Sequence, residues 1–188
     1  MEQEPKIKLE IWMQGQIDGI TPLLQPVAHT FLQIDADIQT LLTDDLEPFI
    51  WVRPFDMANI AFHVQHITGV TKRMIIYSKG EVLSDDELAE IKTEGVRPGG
   101  LNIDILKRQL HFQIQQSIDY LRNIEAQELI QERFLGRKKI PTTKIGLLFH
   151  AAEHGQRHYG QLLVTIKTVK GLFLHGKNPS DPKSNPNI

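Results

Sequence analysis

The stretch His150–Leu162, HAAEHGQRHYGQL, sets three of the chain's eight histidines four residues apart. On a helix each residue advances about 100°, so positions four apart drift by only about 40°, and His150, His154 and His158 share a stripe about 80° wide. Leu147 and Gln161 fall in the same stripe. Leu147 turns that stripe toward an interior, where an i, i+4 histidine pair has two uses. It can grip a divalent metal with two imidazoles, or it can be a pair of buried polar groups satisfied by their neighbours.

Working outward, the helix carrying this stretch is expected over Thr143 to Val169, with Pro141 and Thr142 at its start and Gly171 at its end. Three more segments read as long helices. Ile11, Leu23, Leu24, Val27, Phe31, Ile34, Ile38, Leu41 and Leu42 recur at mostly helical spacing within Leu9 to Leu46. Pro22 and Pro26 divide that segment into a short N-terminal turn and a longer helix starting near Thr21 to Leu23. A second helix is expected from an N-cap at Asp56 to Tyr77, ended by Gly80, and a third over Leu101 to Ile124. Between them Ser84 and Glu87 form a capping-box pair, which predicts a short helix over Asp85 to Lys92 inside a long connection. GRKKIP, residues 136–141, reads as a short extended piece. The expected fold class is therefore all-α, a four-helix bundle with one long crossover connection. Residues 1–175 form one domain in this reading, and the polar, proline-bearing tail 176–188 is disordered.

Composition narrows the chemistry. A chain of 188 residues with 40% hydrophobic and 23% charged residues can build a full core. Its net charge of −2 offers no basic footprint for nucleic acid. The absence of cysteine removes thiolate ligands and nucleophiles and leaves histidines, carboxylates and hydroxyls. MEQEPKIKLE lacks the apolar core of a signal peptide, and no apolar run approaches the roughly 18 residues of a membrane span. A cytoplasmic location without membrane contact is the expectation.

Known metal motifs narrow the histidine reading. Ala151 and Gly155 follow His150 and His154, so the zincin arrangement is absent, and no Glu-x-x-His pair of the di-iron bundles occurs. A histidine site must take its third ligand from another helix. IAFHVQHITGV on the second helix offers His63 and His66, about 60° apart on a half shared with Phe62, Ile67, Val70 and Met74. Periodicity favours His63, which lies nearer the centre of the apolar stripe.

The segments HGQRHYGQL and FHVQHITGV, supported by LLQPVAHTFLQ and IGLLFHAAEH, resemble the motifs of the DinB-like (DinB/YfiT-like) metalloenzymes, in family order, across most of Trp12 to Val169. Tyr159 stands where many relatives carry arginine. The resemblance implies metal ligands at His66, His154 and His158, with His150 one turn outside the set and His63 left to packing or to holding a ligand. It implies a divalent metal, zinc or nickel, and a homodimer acting on a small-molecule substrate. The implied activity is that of a metal-dependent hydrolase or of a transferase of low-molecular-weight thiols such as bacillithiol. The alternative is a bundle that binds metal or ligand without catalysis. Three neutral imidazoles would leave an ion its charge and an open position. No general base is assigned: Glu153 points away from its neighbouring ligand, Tyr77 is as well explained by core packing, and Gln161 by an interhelical hydrogen bond.

Overall fold

Four long helices, α1 (Gln25–Leu41), α2 (Ile60–Lys79), α4 (Ile103–Arg122) and α5 (Lys144–Leu174), carry the computed structural model, which describes residues 9–174. The short α3 (Asp85–Ile91) lies in the connection between α2 and α4, and an antiparallel hairpin of β1 (Glu132–Leu135) and β2 (Ile140–Thr143) joins α4 to α5. The expected tail, 176–188, lies outside the described residues.

Each long helix packs on two others: α2 on α5 and α4, and α1 on the same pair. The helices thus ring the core with α2 diagonal to α1, and α2 lies most extensively along α5. Apolar residues three and four apart explain the packing. Phe31, Ile34 and Ile38 of α1 meet Ile60, Val64 and Ile67 of α2, Leu106, Leu110 and Ile114 of α4, and Leu148, Ala151 and Leu162 of α5 in one core. Each of these phenylalanine, isoleucine, leucine and valine side chains contributes roughly 1.5–3 kcal/mol by leaving water. The all-α reading holds, and the hairpin is the only sheet among the described residues.

Local signals moved some boundaries. Helix α2 begins three residues later than expected, because Asn59 and not Asp56 is its cap: the Asn59 Oδ1 accepts from Phe62 N at 2.7 Å. Phe55 and Asp56 instead take left-handed backbone angles, φ 49° and 59°. Helix α5 continues through Gly171, since Phe173 packs on Phe49 with ring centroids 4.1 Å apart and Lys170 pairs with Asp45 at 2.8 Å. A helical glycine costs only about 1 kcal/mol, which such contacts offset. Within 136–141, Gly136 to Lys139 form the turn and only Ile140 and Pro141 are strand. The capping box of α3 forms in both directions, Glu87 N donating to Ser84 Oγ at 3.2 Å and Ser84 N to Glu87 Oε2 at 2.8 Å.

Candidate metal centre

The α2–α5 pairing brings two histidine sets face to face. His66 Nε2 lies 3.0 Å from His154 Nε2, and ligand-capable nitrogens of His66, His154 and His158 all lie within 4.8 Å of one another. Two nitrogens at about 2.0–2.1 Å from one tetrahedral ion would stand about 3.3–3.4 Å apart, close to the observed pair. Phe62 covers one side, stacked on the His66 ring at 5.2 Å and 13°.

The protonation pattern suits ligation. His66 Nδ1 donates to Glu94 Oε2 at 2.6 Å, and a carboxylate only accepts, so the hydrogen of a neutral His66 sits on Nδ1 and the Nε2 lone pair faces His154. Glu94 also accepts from Arg73 Nη1 at 2.7 Å. Burial opposes ionisation of Glu94, but the bonds from His66 and Arg73 outweigh it and hold the carboxyl below its usual range. Burial, with repulsion from neighbouring imidazoles, lowers His158 to about 4 and also lowers His154. Both are therefore neutral at pH 7, the form that ligates metal. His154 Nδ1 is buried with no hydrogen-bond partner, the one such side-chain atom among the described residues.

His63 is buried and sits behind this group. Its Nδ1 is 3.2 Å from His158 Nδ1 and its Nε2 is 3.3 Å from Thr165 Oγ1. If His63 Nε2–H donates to Thr165 and His158 Nδ1–H donates to His63, every nitrogen is used except His158 Nε2, which is left as a bare acceptor. Burial first, then the charge of His66, lowers His63 to about 4.

Other residues singled out from the sequence fall elsewhere. The stripe does not face inward along its length: His150 is half-exposed, 3.9 Å from Glu153 Oε2. His150, Glu153 and His154 form a second group with ligand atoms within 4.8 Å, but Glu153 accepts from Arg157 Nε at 3.0 Å. Gln161 is exposed and lines a cleft of about 540 Å³ with Met57, Arg157 and Val164. Tyr77 is buried at the far end of α2, eleven residues or about 16 Å along the axis from His66. Sequence reasoning missed Glu94 and Arg73. Arg73 could have been found, since seven residues after His66 it returns to within about 20° of the same face. Glu94 could not: no spacing ties a loop carboxylate to the motif.

Among the described residues no helix is long and apolar enough to cross a membrane. The sequence matches the model of the DinB superfamily over residues 20–162, which takes in both histidine sets and Glu94. No curated protein matches the chain.

Proposed function

The chain belongs to the DinB superfamily, and on that premise we propose that His66, His154 and His158 hold one divalent metal ion, zinc or nickel, in an enzyme acting on a small-molecule substrate. The reaction is hydrolysis or the transfer of a low-molecular-weight thiol such as bacillithiol. The observation that carries this reading is the convergence of three ring nitrogens from two helices within 4.8 Å. The lowering of His154 and His158, and the hydrogen that Glu94 holds on His66 Nδ1, accord with it. A divalent ion held this way supplies a Lewis acid with an open coordination position, able to acidify a water or a thiol. The protein's own part is to keep three lone pairs aimed at one point, through Glu94 behind His66 and His63 behind His158, and to shield His66 with Phe62.

The test is to strip the untagged protein with nitrilotriacetate and reload it with zinc, nickel, manganese or iron. Metal content should reach about one ion per chain. Turnover of bacillithiol with a chloronitrobenzene that needs both metal and thiol identifies a transferase. Metal-dependent ester or amide cleavage without thiol identifies a hydrolase, and bound metal with neither identifies a binding module. Undiminished metal in the His154→Ala/His158→Ala double variant sinks the site. The same reading extends to a homodimer in the cytoplasm, and a sedimentation mass near the 21.5 kDa of one chain rejects the dimer.

A further inference from the structure

The connection between α2 and α4 does more than cross the bundle. Directly after α3 it folds back against α2 and is tied there at several points. Gly95 N donates to Gln65 Oε1 at 2.8 Å, and Asn59 Nδ2 donates to Gly95 O at 3.1 Å. Gly95 has φ +78°, and a Cβ there would stand 3.0 Å from two carbons of Phe62, so neither its backbone angle nor its neighbour leaves room for a side chain. The residue this turn delivers to the bundle is Glu94, whose carboxylate bridges His66 Nδ1 at 2.6 Å and Arg73 Nη1 at 2.7 Å, with only 9% of its side chain exposed.

Room for that bridge is made by a second glycine. A Cβ on Gly69, which lies between His66 and Arg73 on the same face of α2, would stand 2.5 Å from Glu94 Oε1 and 2.6 Å from Arg73 Nη1. An ordinary ion pair on a helix surface needs no such hollow, and a mid-helix glycine is a cost that tertiary structure must offset.

We propose that Glu94, held by Arg73 over the hollow at Gly69, is the positioning residue of the metal centre: it fixes the hydrogen of His66 on Nδ1 and aims Nε2 at the point shared with His154 and His158. This rests on the metal reading above and deepens it. The carboxylate also raises the basicity of the imidazole it holds, so its removal weakens a bound ion without touching a ligand. In this arrangement α2 and α5 supply the nitrogens and the crossover connection sets one of them.

Three variants test it: Glu94→Ala, Glu94→Gln and Gly69→Ala. The last keeps every titrating group but fills the hollow under the bridge, so that the Glu94 carboxylate and the Arg73 guanidinium must shift. Zn²⁺ affinity, measured by competition with a chromophoric chelator, should fall about 10- to 100-fold in Glu94→Ala and Gly69→Ala, and less in Glu94→Gln, which keeps an acceptor for the Nδ1–H. In the metal-free protein, ¹⁵N-imidazole NMR should find the His66 hydrogen on Nδ1, and shifted at least in part to Nε2 in Glu94→Ala. Unchanged Zn²⁺ affinity in both Glu94→Ala and Gly69→Ala overturns the proposal, as does a His66 hydrogen that stays put in Glu94→Ala. Failure of the wild-type protein to bind Zn²⁺ sinks the metal reading instead, while the tautomer measurement, made without metal, still decides what Glu94 does to His66.

Discussion

His63 and His66 stand three residues apart on α2 and do different jobs because of the sixty degrees or so between them. The buried one, His63, finds both its partners inside, on His158 and Thr165, and so spends its nitrogens on orientation. His66 lies nearer the edge, where the crossover turn can reach its outer nitrogen and leave the inner one open. His66→Ala should therefore lose Zn²⁺ affinity by orders of magnitude, and His63→Ala by about 10- to 100-fold, as for groups that hold a ligand. An emptied site in His63→Ala alone would reverse the assignment. The buried histidines also give the metal-free protein a pH dependence. His63 is lowered to about 4 against about 6.5 in the unfolded chain, so the unfolded state binds more protons between those values. Its contribution to stability is complete above about 6.5 and is lost as pH falls toward 4. Urea unfolding of chelated protein across this window should show that decline, and His63→Gln should make it shallower. An identical slope in the variant would place the effect elsewhere.

At the scale of the element, the two glycines of HGQRHYGQL do different things. Gly155 is buried where α5 crosses α1, and a Cβ there would stand 3.0 Å from Ile34 Cδ1, inside a packed core. Gly160 is exposed, with nothing within 4 Å of its Cβ position. Alanine should thus stabilise the protein by about 0.5–1 kcal/mol at Gly160, through helix propensity alone. At Gly155 overpacking, typically about 1–3 kcal/mol, should cancel or exceed that gain. Chemical denaturation of the two variants checks both signs, and a destabilised Gly160→Ala would mean that the packing there has been misread. Helices and the histidine ladder were legible in the sequence because both rest on local signals: the third helix expected over Leu101 to Ile124 and the spacing of His154 and His158 read directly onto α4 and α5. The family motif pointed to His66, and periodicity, which measures burial, pointed to His63, the one the structure buries. Helix ends were less legible where two signals competed, as Asp56 with Asn59, or where a tertiary contact carried the helix on, as Phe173 past Gly171. Glu94 was illegible because its place depends on a turn folding back by way of Gln65, Asn59 and Gly95, contacts about 30 residues apart in sequence.

For the whole molecule the question is whether the site holds the bundle together or the bundle holds the site. Leu110, Ile114, Ile118 and Leu121 of α4 are essentially inaccessible, and none of them belongs to the histidine group. Phe31 and Ile38 of α1 and Leu162 of α5 join them in the same core. Apolar burial of this extent supports a fold without an ion, unlike the small domains that metal alone keeps folded. An ion bound to the native state alone adds about 2.7 kcal/mol when free metal stands at 100 times Kd. For a chain of this size each kcal/mol moves the melting temperature by about 2–4 °C, so removal of the metal should lower Tm by roughly 5–10 °C. Far-ultraviolet circular dichroism at 25 °C should keep its helical signal throughout. The local consequence is different. An ion would join α2 to α5 through His66, His154 and His158, so the looseness that chelation introduces should be confined to the α2–α5 contact around them. Amide exchange compared with and without Zn²⁺ should speed near His154 and His158 and leave Leu110 to Ile118 unchanged. Collapse of the helical signal on chelation, or a rise in exchange spread evenly over α4, would make the metal a structural strut and remove the ground for reading the centre as a catalytic one.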